Sequence, residues 1–333
     1  MKAVVLDGFG DVENFRLADI DKPAPKDDQV LVQIKAAAFN PIDYQMRQGR
    51  RESRLMNSPV MGREMAGVVV AVGEKVDYFR VGDEIMAASG SRGSNGTYAE
   101  FMALSPELIF HKPKNITFEE AAAIPSAGLT ALQSFKRMKV NESESVFIAG
   151  GAGGVGSVLI KILKSNGIER IVSTAGNEHS KNALLDLGLK KDQIINYKSE
   201  NLSDEILSAN DNNQFDFAVD IVGGQISETA AEVLKVNGNY VDITFLGTRK
   251  TREVLFDKGC VILNISNYAY ALKGDLAWYG RTLSELSQLI ESGKITAPSI
   301  NLVGDLSVET VQKAHTLLES NQIFGKKLVM KVS

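Results

Sequence analysis

The stretch Val146-Phe-Ile-Ala-Gly-Gly-Ala-Gly-Gly-Val-Gly156 decides how this chain is read. Four apolar residues suited to a buried strand run into a glycine turn, and an apolar-periodic segment, Val155–Ser165, follows as a helix. Gly151, Gly153 and Gly156 supply a G-x-G-x-x-G pattern, which alone is weak because glycine is common here. Its position between a strand and a helix makes it specific. The first glycine permits the tight turn and the second lets backbone approach a pyrophosphate. The third lets helix and strand pack closely. Backbone N–H groups and the positive end of the helix dipole then face the phosphates. Gly151, Ala152, Gly153, Gly154, Val155 and Gly156 are therefore the candidate phosphate-binding residues.

Outward from this turn, strands and helices alternate. Arg170–Thr174, Gln193–Asn196, Phe217–Val222 and Asn239–Ile243 read as strands, and Ser180–Leu187 reads as a helix. That order predicts a parallel, doubly wound α/β sheet. The residues before about 117 are different in kind. Lys2–Leu6, Gln29–Ala37 and Ala66–Val72 are short Val- and Ile-rich runs separated by Gly and Pro turns, which predicts a β-rich unit. Thr117 and Glu120 form a capping-box pattern that opens a helix, which Pro125 interrupts. At the other end Leu283–Ser292 and Val308–Ser320 are amphipathic helices, and Lys327–Val332 reads as a last strand.

Composition limits the function. The chain has 333 residues, enough for two domains. Its net charge of −4 and the lack of an RNP-like aromatic motif argue against nucleic acid as a partner. No window approaches the roughly 18 apolar residues of a membrane span, and the N-terminus lacks a signal-peptide core. The reading is a cytoplasmic protein. One cysteine, Cys260, and three dispersed histidines, His111, His179 and His315, give no spacing suited to a metal site.

Cofactor type follows from the strand after the turn. A dinucleotide site for NAD carries an acid about 20 residues on, to bind the ribose 2′-OH. Here Ile171-Val-Ser-Thr-Ala-Gly-Asn177 ends without one, so Thr174 stands where a 2′-phosphate is tolerated. Lys181 supplies a possible positive partner, although Glu178 is close and Lys181 equally suits a solvated helix face. NADPH is the expected cofactor. Arg47, Arg50, Arg51 and Arg54 form a basic run that reads as a solvated loop. The alternative is a mobile rim favouring an anionic ligand.

Several further elements resemble the zinc-free quinone oxidoreductase branch of the medium-chain dehydrogenase/reductase superfamily. They are Ala38-Phe-Asn-Pro-Ile-Asp-Tyr44, Met61-Gly-Arg-Glu-Met-Ala-Gly-Val-Val69, Gly96-Thr-Tyr-Ala-Glu-Phe101, Ala123-Ile-Pro-Ser-Ala-Gly-Leu-Thr-Ala131, Ala149–Gly156 and Asp220-Ile-Val-Gly-Gly224. Their order and spacing along the whole chain carry the resemblance. Asn40 lies near the cysteine of the zinc-dependent branch, and Arg63 replaces the histidine of its G-H-E element.

The resemblance implies a GroES-like catalytic domain from residues 1–124 and 267–333, and a Rossmann dinucleotide-binding domain from 125–266. It implies an active site in the cleft between them and a homodimeric enzyme. The implied activity is hydride transfer from NADPH to small quinones or α,β-unsaturated carbonyl compounds without zinc. It places Asn40, Asp43 and Tyr44 near the nicotinamide, with Tyr44 as proton donor or oxyanion partner. Tyr44 equally suits a half-buried packing residue, and Asn40 with Asp43 suits a turn beside Pro41. Thr130, Tyr197, Val222, Phe245, Leu246, Gly325 and Lys326 would contact the cofactor. The competing reading is an NADPH-binding protein with little catalysis and an RNA-binding or structural role.

Overall fold

The computed structural model describes residues 1–332. Two compact units emerge: Met1–Leu129 with the segment from Ala271 onward, and Thr130–Tyr270.

The first unit is built on antiparallel pairing of short strands: β1 (Lys2–Leu6), β2 (Phe15–Asp19), β3 (Val30–Ala38), β4 (Glu64–Val72), β5 (Glu84–Ala87), β6 (Phe101–Leu104) and β7 (Ile109–His111). β1 pairs with β2 alone. The larger sheet runs β4 beside β3 and β5, with β7 beyond β5 and β6 also on β3. β3 is buried along most of its length, since Val30, Leu31, Val32, Ile34 and Ala36–Ala38 all lie in the core. Such a two-sided strand reads as a continuous apolar run instead of a strict alternation.

Two helices of this unit matter below. α1 (Pro41–Arg47) begins with Pro41, whose fixed φ and missing N–H suit a first helical turn. α2 (Phe118–Ala122) starts at the Thr117 cap, where Glu120 N–H donates to Thr117 Oγ1 at 3.2 Å and Thr117 N–H to Glu120 Oε2 at 2.9 Å, and α3 (Pro125–Met138) follows it in the chain.

The second unit is a six-stranded sheet of β8 (Val146–Ala149), β9 (Ile171–Ala175), β10 (Ile194–Asn196), β11 (Phe215–Asp220), β12 (Leu234–Asp242) and β13 (Val261–Asn264). All its pairings are parallel, in the order β10-β9-β8-β11-β12-β13. In order of appearance this is 3-2-1-4-5-6, the doubly wound arrangement, and the chain reverses direction across the sheet between β8 and β11. Its core joins Phe147, Ala149, Phe215, Ala218, Leu234 and Tyr240.

The last strands return to the first unit. β14 (Ile300–Asp305) pairs with β15 (Lys327–Lys331), and β15 lies antiparallel to β3 with Val329 opposite Ala38. The helices Ala277–Glu291 and Val308–Glu319 follow sequence patterns already legible, whereas periodicity does not reveal the edge strand β14.

The arginine run departs from expectation. Arg47 is not in a solvated loop but closes α1 and is 2% exposed. Its Nη1 donates to Gly10 O and its Nη2 to Glu319 Oε2, both at 2.5 Å. A buried guanidinium is tolerable only with such partners, so the distant Glu319 turns a surface residue into a core one. Arg50, Arg51 and Arg54 are exposed as expected, and Arg50 stands over the Tyr44 ring at 5.9 Å.

Candidate functional site

The glycine turn is shaped by close approach. Gly150 has φ +87°, a left-handed conformation that favours glycine, and it turns the chain as it leaves β8. At Gly151 a Cβ would lie 2.2 Å from Ser173 Oγ, and at Gly156 it would lie 2.5 Å from Gly150 O. Both positions exclude a side chain. Ser173, buried in β9, accepts from Gly151 N–H at 3.2 Å and donates to Ile148 O at 2.7 Å, so it ties turn to sheet. Gly153 differs: a Cβ there would meet only Gly150 O, at 3.3 Å. The space over Gly153 is open, which is what a pyrophosphate needs. Gly153 is the N-cap of α4 (Gly154–Ser165), so the helix dipole is directed at that space. These features fit a dinucleotide.

The remaining candidates of this unit gather where the parallel strands end. Thr174 is the penultimate residue of β9 and is buried. Tyr197 follows β10, with its N–H donating to Ala175 O at 3.1 Å. Its ring lies so close to Gly176 that a Cβ there would come within 2.2 Å of it. Val222, Phe245 and Leu246 follow β11 and β12 and are at least half exposed. Three apolar side chains held in solvent at one sheet edge suit a ligand face.

Asp220, buried at the end of β11, shapes that edge. Its Oδ1 accepts from Val222 N–H at 3.0 Å and Gly223 N–H at 2.8 Å, and its Oδ2 accepts from Tyr240 at 2.8 Å. The loops after β11 and β12 are then joined by Gly224 N–H to Leu246 O at 2.9 Å.

Lys181 lies on α5 (Glu178–Asp186), one turn past the Asn177 cap, and pairs with Glu178 at 3.5 Å. Thr130 Oγ1 accepts from Asn267 Nδ2 at 3.0 Å. Gly325 and Lys326 belong to the other unit, in the turn before β15, and Lys326 is exposed.

In the first unit, sheet register assembles a buried polar cluster. Ala38 of β3 lies opposite both Glu64 of β4 and Val329 of β15. Asn40, two residues past Ala38, therefore sits near Glu64 and Lys327. Asn40 Nδ2 donates to Glu64 Oε1 at 2.7 Å, Lys327 Nζ donates to Asn40 Oδ1, and Lys327 pairs with Glu64 at 2.7 Å. Glu64 Oε2 accepts from Ser126 N–H at 2.7 Å. Asp43 Oδ2 accepts from Asn40 N–H at 2.8 Å, half of a capping box for α1. Asp43 is wholly buried, and burial raises its pKa to about 6. Tyr44, beside it, is only half-buried.

Sequence reasoning named Asn40 and Asp43 but not Glu64, Lys327 or Gly150. Glu64 stood in a recognised element without a role. Lys327 was hidden beside Lys326, since two adjacent lysines do not say which one turns inward.

The donors present do not suit a zinc ion. His315 is buried against Tyr98, 3.2 Å from its hydroxyl, and burial holds it near pKa 3. His111 lies in β7, His179 on α5 and Cys260 before β13. Among the described residues no three His, Cys, Asp or Glu side chains gather as a metal site, and no helix is long and apolar enough to cross a membrane.

Comparison with known proteins places the chain. A model of the alcohol dehydrogenase GroES-like domain matches residues 26–114, and one described as zinc-binding dehydrogenase matches residues 189–329. An NADPH-dependent alkenal/one oxidoreductase of Arabidopsis thaliana is 32% identical, across 99% of this chain and 79% of that protein. A 2-methylene-furan-3-one reductase of Solanum lycopersicum is similar to the same degree, with 32% identity and the same coverage. The solved structure of the quinone oxidoreductase from Coxiella burnetii matches with a TM-score of 0.85 at 29% identity, over 100% of this chain and 99% of that one. With a glycine turn in the doubly wound unit and a GroES-like first unit, the chain belongs to the medium-chain dehydrogenase/reductase superfamily, within its quinone and alkenal oxidoreductases.

Proposed function

We propose that this protein is an NADPH-dependent reductase that transfers hydride to quinones or α,β-unsaturated carbonyl compounds without zinc. The observation that carries the reading is the open space over Gly153, at the N-terminus of α4 and at the point where the sheet order reverses. A reduced nicotinamide dinucleotide held there supplies the hydride. The chain's own residues bind its phosphates through backbone N–H groups and present Val222, Phe245 and Leu246 along the adjoining strand ends.

NADPH is preferred because β9 ends in Ser173, Thr174 and Ala175, with no carboxylate to repel a 2′-phosphate. Lys181 lies one helical turn away and exchanges Glu178 for the phosphate in this reading. The two plant relatives named above, one of them NADPH-dependent by name, act on alkenals, alkenones or a methylene-furanone. Conjugated acceptors spread incoming charge onto a distant oxygen, so hydrogen bonds suffice where an isolated ketone needs stronger activation.

The test is an NADPH-oxidation screen over benzoquinone, phenanthrenequinone, a 2-alkenal and a simple ketone, with and without chelator. The conjugated acceptors are expected to turn over, the ketone is not, and chelator leaves rates unchanged. Loss of activity on chelation sinks the metal-free reading. Salt-sensitive RNA binding without turnover supports the non-catalytic alternative instead. Light scattering is expected to give a homodimer, and fractionation a cytoplasmic protein.

A further inference from the structure

Arg63 immediately precedes β4, next to Glu64, and lies in a small pocket with Asp43, Met46, Met56, Met61, Gly90 and Ser91. Its backbone is held in place, since its carbonyl accepts from Ser89 Oγ at 3.1 Å and Gly90 N–H at 3.0 Å. The guanidinium is poorly matched. Nη1 donates to Ser91 Oγ at 3.1 Å and touches Met46 Sδ at 3.5 Å. Nε and Nη2 have no acceptor among the described residues, and no carboxylate there forms an ion pair with Arg63.

A second cation increases the mismatch. A Cβ built on Gly90 would lie 3.4 Å from Arg63 Nη2 and 3.5 Å from Arg92 Nη1, so both guanidinium groups approach the same glycine. Burial lowers the pKa of Arg63, with Asp43 opposing that shift and Arg92 adding to it. Arg63 is partly exposed, and its Nε and Nη2 are not among the buried polar atoms left without a partner, so both donors open onto the pocket beside a like-charged neighbour. Such donors favour an electron-rich oxygen entering the pocket. Met46, Met56, Val60 and Met61 make part of the lining apolar, beside Asn57, Ser58 and Ser91, and partial removal from water strengthens a hydrogen bond to such an oxygen. Across the pocket Asp43 Oδ1 has no hydrogen-bond donor.

We propose that Arg63 is a catalytic residue that donates to the carbonyl oxygen of a conjugated acceptor, the atom that gathers negative charge during reduction. This rests on the reductase reading above. As hydride and its electron pair add to the β-carbon, the C=C π electrons shift to form an enolate, whose oxygen Arg63 stabilises. A solvent proton then adds to the α-carbon, giving the saturated carbonyl. Arg63 forms no bond and loses no proton. It supplies donors already oriented toward the charge, as backbone amides do in other oxyanion sites.

Two measurements test this. The first needs no cofactor: p-nitrophenol is titrated against wild type, Arg63→Lys and Arg63→Met, its colour reporting ionisation. Wild type is expected to favour bound phenolate, Arg63→Met to lose that preference, and Arg63→Lys to keep part of it. The second is turnover of a neutral enone. Arg63→Met is expected to lower kcat by about 10²–10³-fold, with KM nearly unchanged and partial recovery in Arg63→Lys. Dinucleotide binding, followed by nicotinamide fluorescence, should be equal in all three. Equal phenolate binding by wild type and Arg63→Met overturns the proposal, as does unchanged kcat. An effect confined to KM for carboxylate-bearing acceptors also overturns it, by making Arg63 a subsite for a permanent anion. If Arg63→Met does not fold, Arg63→Lys and Arg63→Gln take its place in both measurements. Failure of wild type to bind dinucleotide defeats the reductase reading separately, because the phenolate titration does not depend on it.

Discussion

The glycine turn and the Asn40–Glu64–Lys327 cluster are built in opposite ways. The turn is backbone: Gly150 to Gly156 are consecutive, and what matters there is the absence of side chains. The cluster is side chain: Asn40 and Glu64 are 24 residues apart, and Asn40 and Lys327 are 287 apart. The turn leaves a space for a ligand, while the cluster fills its own space with paired side chains. Substitutions in the turn should therefore act mainly on binding, and substitutions in the cluster mainly on stability.

The largest effect is expected in the cluster. Lys327→Met leaves Glu64 charged and buried without its cation, and Asn40 Oδ1 without a donor. Breaking a buried pair from one side costs about 3–5 kcal/mol, which denaturant unfolding will register. Adding Glu64→Gln should recover part of the loss. A single-variant loss below about 1 kcal/mol shows that the three residues do not act as a unit.

A comparable figure, read through pH, applies to Asp43. Its folded pKa is raised from 3.8 to about 6 by burial, so the unfolded chain gives up this proton first. The sign follows: its contribution is full below about pH 4 and is lost as pH rises through 6. Two pKa units correspond to about 3 kcal/mol. Asp43→Asn still accepts from Asn40 N–H, and should remove this decline. His315, held near pKa 3, has the reverse dependence and loses stability as pH falls below its ordinary 6.5. It is present in both proteins, so the difference between their stability–pH curves isolates Asp43. Parallel curves would falsify the assignment.

The turn separates binding from folding. Gly156→Val meets Gly150 O and should cost about 1–3 kcal/mol of stability while abolishing tight dinucleotide binding. Gly153→Ala meets only one atom, at 3.3 Å, and should stay within about 0.5 kcal/mol of wild type. It should still weaken dinucleotide binding by roughly 10-fold, about 1.4 kcal/mol, because its methyl occupies the phosphate approach. Unaltered affinity in Gly153→Ala would mean that the phosphates lie elsewhere.

The smallest effect is cofactor selectivity. Lys181→Ala should weaken NADPH by roughly 10-fold, the scale of one exposed charge-assisted contact, and leave NADH within about twofold. An equal change for both dinucleotides removes Lys181 from the 2′-phosphate.

Much of this architecture was legible before any coordinates. The parallel unit showed through its alternating strands and helices, and the phosphate turn through glycines placed between strand and helix. The break to a β-rich first unit showed in its Val- and Ile-rich runs. Capping at Thr117 was legible because cap and partner are three residues apart. Asn40 and Asp43 came from a recognised element, but their contacts did not. Arg47 was misread as solvated because its partners are Gly10 and the distant Glu319. β14, with no strong alternation, is held by its pairing to β15.

Spacing within a dozen residues was enough to specify the turn, the caps and the order of the strands, because those depend on φ, ψ and local hydrogen bonds. Which polar side chains enter the core was settled by sheet register. Ala38 opposite both Glu64 and Val329 brings Asn40, Glu64 and Lys327 together, and puts Lys327 inside while Lys326 stays in water. Lys327 goes inward because Glu64 on another strand supplies its counter-charge, and that supply is a property of the folded sheet.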